Sequence, residues 1–146
     1  MDRTEQFRQA LQAEMVMTLS TAAEGRVTMR AVSPVPVPDG VLFFTGRDSQ
    51  KYRQLQANPR CCIAVGPFYA ECTAAFCGPT MAEQNAALRA AYAEKFPGAF
   101  DEGVSFGGRE AEFLLLHPVR LSGWAFENDV PTPDGVPTIP FELTLS

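Results

Sequence analysis

Apolar residues recur at four-residue steps at the start of the chain, at Phe7, Leu11 and Met15, which predicts an opening amphipathic helix with one buried face. After it the period shortens to the alternation of half-buried strands. Met15–Thr21 and Val27–Val37 form two β-rich runs joined by Ala22–Arg26, with Gly25 at the tight position of a hairpin. Asp39-Gly40 marks a second turn and Val41–Thr45 a third strand, so the first three strands read as an antiparallel meander. A short helix follows, capped by Asp48 or Ser49, turned inward at Tyr52 and Leu55, and ended by Asn58-Pro59. Arg60–Val65 and Tyr69–Cys77 are strands around a Gly66-Pro67 turn. Thr80-Met81-Ala82-Glu83 has the form of a capping box, opening a helix with Leu88, Tyr92 and Phe96 on one stripe and Pro97-Gly98 at its end. Beyond the glycine-rich Gly103–Gly108 stretch, Glu112–Leu116 and Val119–Phe126 alternate again as strands. Four prolines between Pro131 and Pro140 predict an extended tail over 131–146 rather than a packed helix. The pattern predicts a mainly β, α+β domain over 1–146: an antiparallel barrel of about six to seven strands with peripheral helices.

Composition adds direction. The 146 residues are 46% hydrophobic and 20% charged, an ordinary globular balance that needs no disulfide or metal to fold. Twelve basic against seventeen acidic residues give a net charge of −5, which excludes a broad nucleic-acid surface. Between Arg26 and Arg60, however, Arg26, Arg30, Arg47, Lys51, Arg53 and Arg60 face only Asp39 and Asp48, a local excess suited to a small anion. The acidic start, Met1-Asp2-Arg3-Thr4-Glu5, is unlike a signal peptide, and the longest near-apolar stretch, Cys61–Ala70, is too short for a membrane span and is broken by Gly66-Pro67. A soluble, cytoplasmic protein with neither nucleic-acid nor membrane partners is expected. Cys61, Cys62, Cys72 and Cys77 have no CxxC spacing and read as reduced, mostly buried thiols.

The stretch Phe43–Lys51 carries the clearest chemistry. A strand ends at Thr45 and a helix begins at Ser49, exposing unpaired N–H groups at the positive end of a helix dipole, a ready phosphate site. Ser49 adds a hydroxyl, Lys51 a mobile cation, and Arg30 a guanidinium able to reach across the sheet. On spacing alone, Ser49 as a mere cap and Lys51 as a solvated charge is the favoured reading.

Met17–Thr21, Gly25-Arg26-Val27, Arg30-Ala31-Val32-Ser33-Pro34, Leu42–Thr45, Ser49-Gln50-Lys51, Gln54-Leu55 and Asn58-Pro59-Arg60, in this order, resemble the pyridoxamine 5′-phosphate oxidase-like family. The resemblance implies an FMN-binding split β-barrel that works as a homodimer in flavin-mediated electron or hydride transfer to a small substrate. It implies that Arg30, Thr45, Ser49, Gln50 and Lys51 hold the FMN phosphate, with Ala31, Val32 and Phe44 beside them. It also implies that Trp124 lies near the flavin ring across the dimer interface, although a lone tryptophan can equally fill a core. The tail Ile139–Leu143 would then lie over the partner's pocket. No catalytic acid, base or nucleophile is implied, since the flavin carries the electrons.

The chain also departs from that pattern. His117 precedes Pro118 with no Arg-x-His around it, so vitamin synthesis is not expected. Cys72 stands where relatives place glycine, and no glutamine between Gln56 and Gln84 addresses the ring. A haem- or flavin-holding module without turnover, a deazaflavin reductase and a barrel used only to dimerise are the alternatives. His117 reads as structural or exposed rather than as a metal ligand, Gly103–Gly108 as a connection, and Glu110 and Glu112 as a solvated face. Ser20 and Ser33 lack hydrolase company.

Overall fold

The computed structural model describes residues 2–101, 111–126 and 135–145. Among them the chain runs α1 (Arg3–Ala13), β1 (Met17–Ala23), β2 (Arg26–Val32), β3 (Val35–Val37), β4 (Gly40–Gly46), α2 (Gln50–Ala57), β5 (Arg60–Val65), β6 (Phe68–Pro79), a 3-10 turn (Glu83–Asn85), α3 (Ala86–Lys95), β7 (Ala111–Ala125) and β8 (Ile139–Thr144). The eight strands form one antiparallel sheet in the order β2-β1-β5-β6-β7-β4-β3, with β8 also on β7, the arrangement of an α+β split barrel. Gly103–Gly108 and Glu110 lie outside the described residues.

The sheet divides two apolar clusters. Phe7 and Leu11 of α1 join Leu19, Phe43, Ile63, Leu114 and Leu121 in the larger one. Val35, Val37, Leu42 and Phe113 pack with Tyr92 of α3 in the other, flanked by Phe44, Phe96 and Phe100. The continuous apolar run Val41-Leu42-Phe43-Phe44 follows from this: β4 is covered on both faces, so alternation gives way to an unbroken hydrophobic stretch. The paired segment Phe113–Leu116 of β7 behaves alike, sending Phe113 and Leu114 into different clusters.

Several expected boundaries move, each for a local reason. Helix α1, capped by Asp2 Oδ1 accepting from Glu5 N–H at 2.8 Å, stops at Ala13, so Met15 leaves the helical stripe and is 62% exposed. Lys95 Nζ donates to Leu11 O (2.6 Å), Glu14 O (2.6 Å) and Pro34 O (2.7 Å), placing a cation on the carbonyl end of α1. The run expected over Val27–Val37 breaks at Ser33-Pro34, where proline removes a ladder donor, and Tyr92 hydroxyl donates to Ser33 O at 2.9 Å. The early meander is therefore split: both of its antiparallel pairings form, β1 with β2 and β3 with β4, but β2 and β3 are separate strands. Strand β4 pairs with β3 and with β7, not with β2.

The Thr80–Glu83 capping box does not form. Thr80 N–H bonds Ala111 O at 3.0 Å as the sheet closes, and its buried hydroxyl has no partner among the described residues. The helix starts later, after Asn85 Nδ2 has donated to Cys77 O (2.9 Å) and Pro79 O (2.8 Å). The two strands expected around His117-Pro118 are one 15-residue strand, since a bulge between the Glu71–Arg120 and Cys72–Pro118 pairs absorbs the proline. Ile139–Thr144 of the tail is a strand on β7 of its own chain, with Phe141 against Phe68 (5.9 Å between ring centres) and under the Arg3 guanidinium. No described helix is long and apolar enough to cross a membrane.

Gly40 closes the β3–β4 turn with φ +152°, and a Cβ there would overlap the Leu116 carbonyl. Gly40→Ala is expected to cost about 2–3 kcal/mol through backbone strain and displacement of β7, read as a lower midpoint in thermal or urea unfolding.

Candidate functional site

The turn from β4 into α2 is built by hydroxyls. Thr45, buried, donates its hydroxyl to Ser49 Oγ at 3.1 Å. Ser49 Oγ donates to Gly46 O (2.8 Å) and accepts from Tyr52 N–H (3.3 Å), which makes Ser49, not Asp48, the cap of α2. Its single donor and both lone pairs are thereby in use. The backbone N–H groups of Gln50 and Lys51 have no acceptor among the described residues and stand at the positive end of the helix.

Glu112 fixes this turn from below. It pairs with Thr45 in the β4–β7 register, accepts the Tyr52 hydroxyl at 2.9 Å and faces Arg47 Nε at 2.9 Å. It is buried, which corrects the solvated face expected for it: a carboxylate with a phenol and a guanidinium as partners can leave water. Burial and the hydrogen bond to Glu112 push the Tyr52 phenol up, so it stays a protonated donor.

Arg30, on β2, is held equally firmly. Its Nη1 donates to Thr21 Oγ1 (2.7 Å) and Leu19 O (3.3 Å), and its Nη2 to Thr28 Oγ1 (2.5 Å). Both threonine hydroxyls donate to Gln54 Oε1 of α2 at 2.6 Å. Among the described residues, three of the five guanidinium N–H groups have partners. The Nε–H and one Nη2–H remain, the two donors of a side-on fork for an oxyanion.

Lys51 completes the patch. Burial lowers its pKa, and the charge of Arg30 lowers it further, so the two cations feel one another. Burial also lowers the Arg30 pKa, from a value so high that it stays charged. Among the described residues neither makes an ion pair, and Lys51 makes no hydrogen bond at all. Two cations close enough to feel one another without a carboxylate present uncompensated positive charge suited to an anion.

The structure thus brings together Arg30, Thr45, Ser49 and Lys51, though with Thr45 and Ser49 as builders of the turn. Gln50 is exposed beside them, and Ala31 is exposed on the opposite face of β2 from Arg30. Val32 and Phe44 send their side chains into the apolar clusters, Phe44 against Tyr92 (5.1 Å) and Phe100 (5.4 Å), leaving only their backbones for a ligand. Trp124 is not brought to the patch by its own chain. It sits at the opposite end of β7 from Glu112, 46% exposed, with its backbone N–H on Pro67 O.

Sequence reasoning missed Thr21, Thr28, Gln54, Tyr52 and Glu112 as supports of the site. Writing out the Ala22–Arg26 hairpin places Thr21 opposite Thr28, and a buried glutamine on a short helix that faces them was the remaining signal. A cavity of about 490 Å³ lies elsewhere, under α1, lined by Phe7, Leu11, Val41, His117 and Leu145 among others. His117 is exposed at its rim, and no cluster of metal-ligating side chains occurs among the described residues.

Known proteins are similar to this chain in fold. The haem storage protein HutZ of Vibrio cholerae is 17% identical over 81% of this chain and 91% of its own, with a TM-score of 0.65. A FAD-binding protein of Mesorhizobium loti is 16% identical over 84% of this chain and 94% of its own, at 0.64. A haem-binding protein of Mycobacterium smegmatis is 18% identical over 99% of this chain and 58% of its own, at 0.70. At such identities the likeness concerns the fold. No curated protein matches the sequence. The family model described as pyridoxamine 5′-phosphate oxidase matches residues 3–124, from α1 through the Arg30 strand and the Lys51 helix to Trp124. The chain belongs to the pyridoxamine 5′-phosphate oxidase-like family of split barrels.

Proposed function

We propose that the chain binds FMN by its phosphate and works as a flavin-dependent oxidoreductase, a cytoplasmic homodimer acting on a small substrate. The observation that carries this is the half-buried, uncompensated pair Arg30 and Lys51 at the start of α2. A phosphate dianion fits that donor set: the free fork of Arg30, the Lys51 ammonium and the N–H groups of Gln50 and Lys51 all present positive charge. Bound FMN would supply the ring that takes up and returns a hydride or electrons.

The protein's own residues bind and orient. Thr21, Thr28 and Gln54 fix the plane of the Arg30 guanidinium, while Glu112, Tyr52 and Arg47 fix the turn that carries Lys51. Glu112 is not free to act as acid or base at the patch, because two partners already hold it. Trp124, exposed and remote in its own chain, is available to a second copy, and this supports a dimer in which it covers the partner's flavin ring. A haem-holding module is the competing function, because two of the similar structures are named for haem.

The visible spectrum of the purified protein with added FMN separates these functions. A flavin spectrum at one FMN per chain, reduced and reoxidised over repeated cycles by a nicotinamide donor, is expected; a Soret band in its place would overturn the flavin assignment. Arg30→Ala and Lys51→Ala each remove a charge-assisted hydrogen bond, about 1.5–3 kcal/mol, so FMN should bind about 10–100-fold more weakly in fluorescence titrations while the circular dichroism stays unchanged.

Lys51 also makes a stability prediction without cofactor. Its folded pKa is depressed below the unfolded value, so the unfolded chain holds the proton more tightly. The charge therefore destabilises the cofactor-free fold at neutral pH, and that cost disappears as pH rises through the depressed pKa toward the ordinary lysine value. Lys51→Met is expected to raise the melting temperature of the cofactor-free protein while reducing the stabilisation that FMN gives the parent. A lower melting temperature in the variant would show that Lys51 has an undetected partner.

A further inference from the structure

The cavity under α1 is not used by the proposed cofactor site. It holds about 490 Å³, within the range of about 300–1,000 Å³ typical of small-molecule sites. It lies at the Gly40 end of β4, whereas the turn that carries Lys51 follows the Gly46 end, about 20 Å away along the strand.

Two local features build its walls. Helix α1 lines it with two neighbouring rows of side chains, Thr4 and Arg8 in one, Phe7 and Leu11 in the other, each pair one turn apart. Across from α1, the bulge in β7 leaves Val119 with no opposite residue on β6. His117, Pro118 and Val119 therefore all line the cavity, which the alternating faces of a regular strand would not allow. Val119 O also accepts the Leu145 N–H at 2.9 Å, which fixes Leu145 in the wall after β8.

The lining is apolar on one side and cationic on the other. Phe7, Leu11 and Val41 are buried members of the larger apolar cluster, and Val119, 44% exposed, carries that surface to the mouth. Arg8 is half-buried, and its Nη1 donates to Val37 O at 2.8 Å. That bond positions the guanidinium while its other N–H groups have no acceptor among the described residues. Arg8 makes no ion pair among them either, Asp39 of the same lining included.

A positioned, unpaired guanidinium beside an apolar cavity suits an amphipathic anion. A carboxylate matches the arginine fork with two parallel hydrogen bonds, and one negative charge balances one cation. A dianion would leave its second charge uncompensated near Asp39. Leu11, Val41, Val119 and Leu145 are aliphatic, and Phe7 already meets Phe68 edge-on at 6.1 Å, so the walls favour an alkyl chain over an aromatic ring.

We propose that this cavity binds an aliphatic monocarboxylate, with its chain against Phe7, Leu11, Val41 and Val119 and its carboxylate on Arg8. The site is separate from the proposed FMN site and does not rest on it.

The test is calorimetric titration of the full chain with octanoate, and with octanol as the same chain length without the charge. One octanoate per chain is expected, with octanol about 10–100-fold weaker, the loss that goes with a charge-assisted hydrogen-bonded pair. Arg8→Gln should bring octanoate down to the octanol level and leave octanol itself unchanged, which separates a lost carboxylate partner from a fold disturbed at Val37. Val119→Trp, at an exposed position, fills the mouth and should abolish binding of both compounds with the circular dichroism unchanged. Absence of binding at millimolar octanoate, or octanoate binding untouched by Val119→Trp, would overturn the site. Equal affinity for octanol and octanoate would overturn the role of Arg8 and with it the carboxylate.

Discussion

Gln54 Oε1 receives the hydroxyls of Thr21 and Thr28, both at 2.6 Å, and everything at the candidate site is referred to that buried oxygen. It ties α2, which carries Lys51, to the β1–β2 hairpin, which carries Arg30. The hydroxyls whose protons point at Gln54 are left with lone pairs for the Arg30 guanidinium. Each group in this network thus determines what its neighbour can do. Remove the glutamine carbonyl and two buried hydroxyls must find other acceptors, with the guanidinium plane no longer specified. The network is polar, yet it lies beside the apolar rows of β1 and β5, where satisfied hydrogen bonds are required rather than optional.

The sequence made local structure legible wherever local physics decides it. A cap at Asp48 or Ser49, the Asn58-Pro59 stop, the Gly66-Pro67 hairpin and the unequal charge between Arg26 and Arg60 all read directly from residue chemistry. What did not read was pairing between distant strands. A run such as Val41–Phe44 shows that the strand is covered on both faces, but not that its lateral neighbours are β3 and β7. His117-Pro118 looked like a break for the same reason: whether a proline ends a strand or sits in a bulge depends on the partner strand. The cap at Thr80 failed because the residue serves the sheet edge, where its N–H meets Ala111 O.

Of the candidate site, the cations were legible and their supports were not. Arg30 and Lys51 stand out as charges on a strand and at a helix start. Thr21, Thr28 and Gln54 are ordinary residues until the hairpin register sets them face to face. Glu112 was misread because a carboxylate in a strand normally faces water, and only the pairing with Thr45 brings it to Tyr52 and Arg47.

The remaining question is why a fold so well satisfied elsewhere keeps two cations together. Lys51 could lie out in water, as Arg53 on the same helix does, and the protein would lose nothing in packing. Instead α2 is anchored twice, through Gln54 to the hairpin and through Tyr52 to Glu112, and both anchors hold Lys51 toward Arg30. Local repulsion maintained by that much surrounding structure is characteristic of a binding site, where an arriving anion relieves the strain and the fold gains stability by linkage.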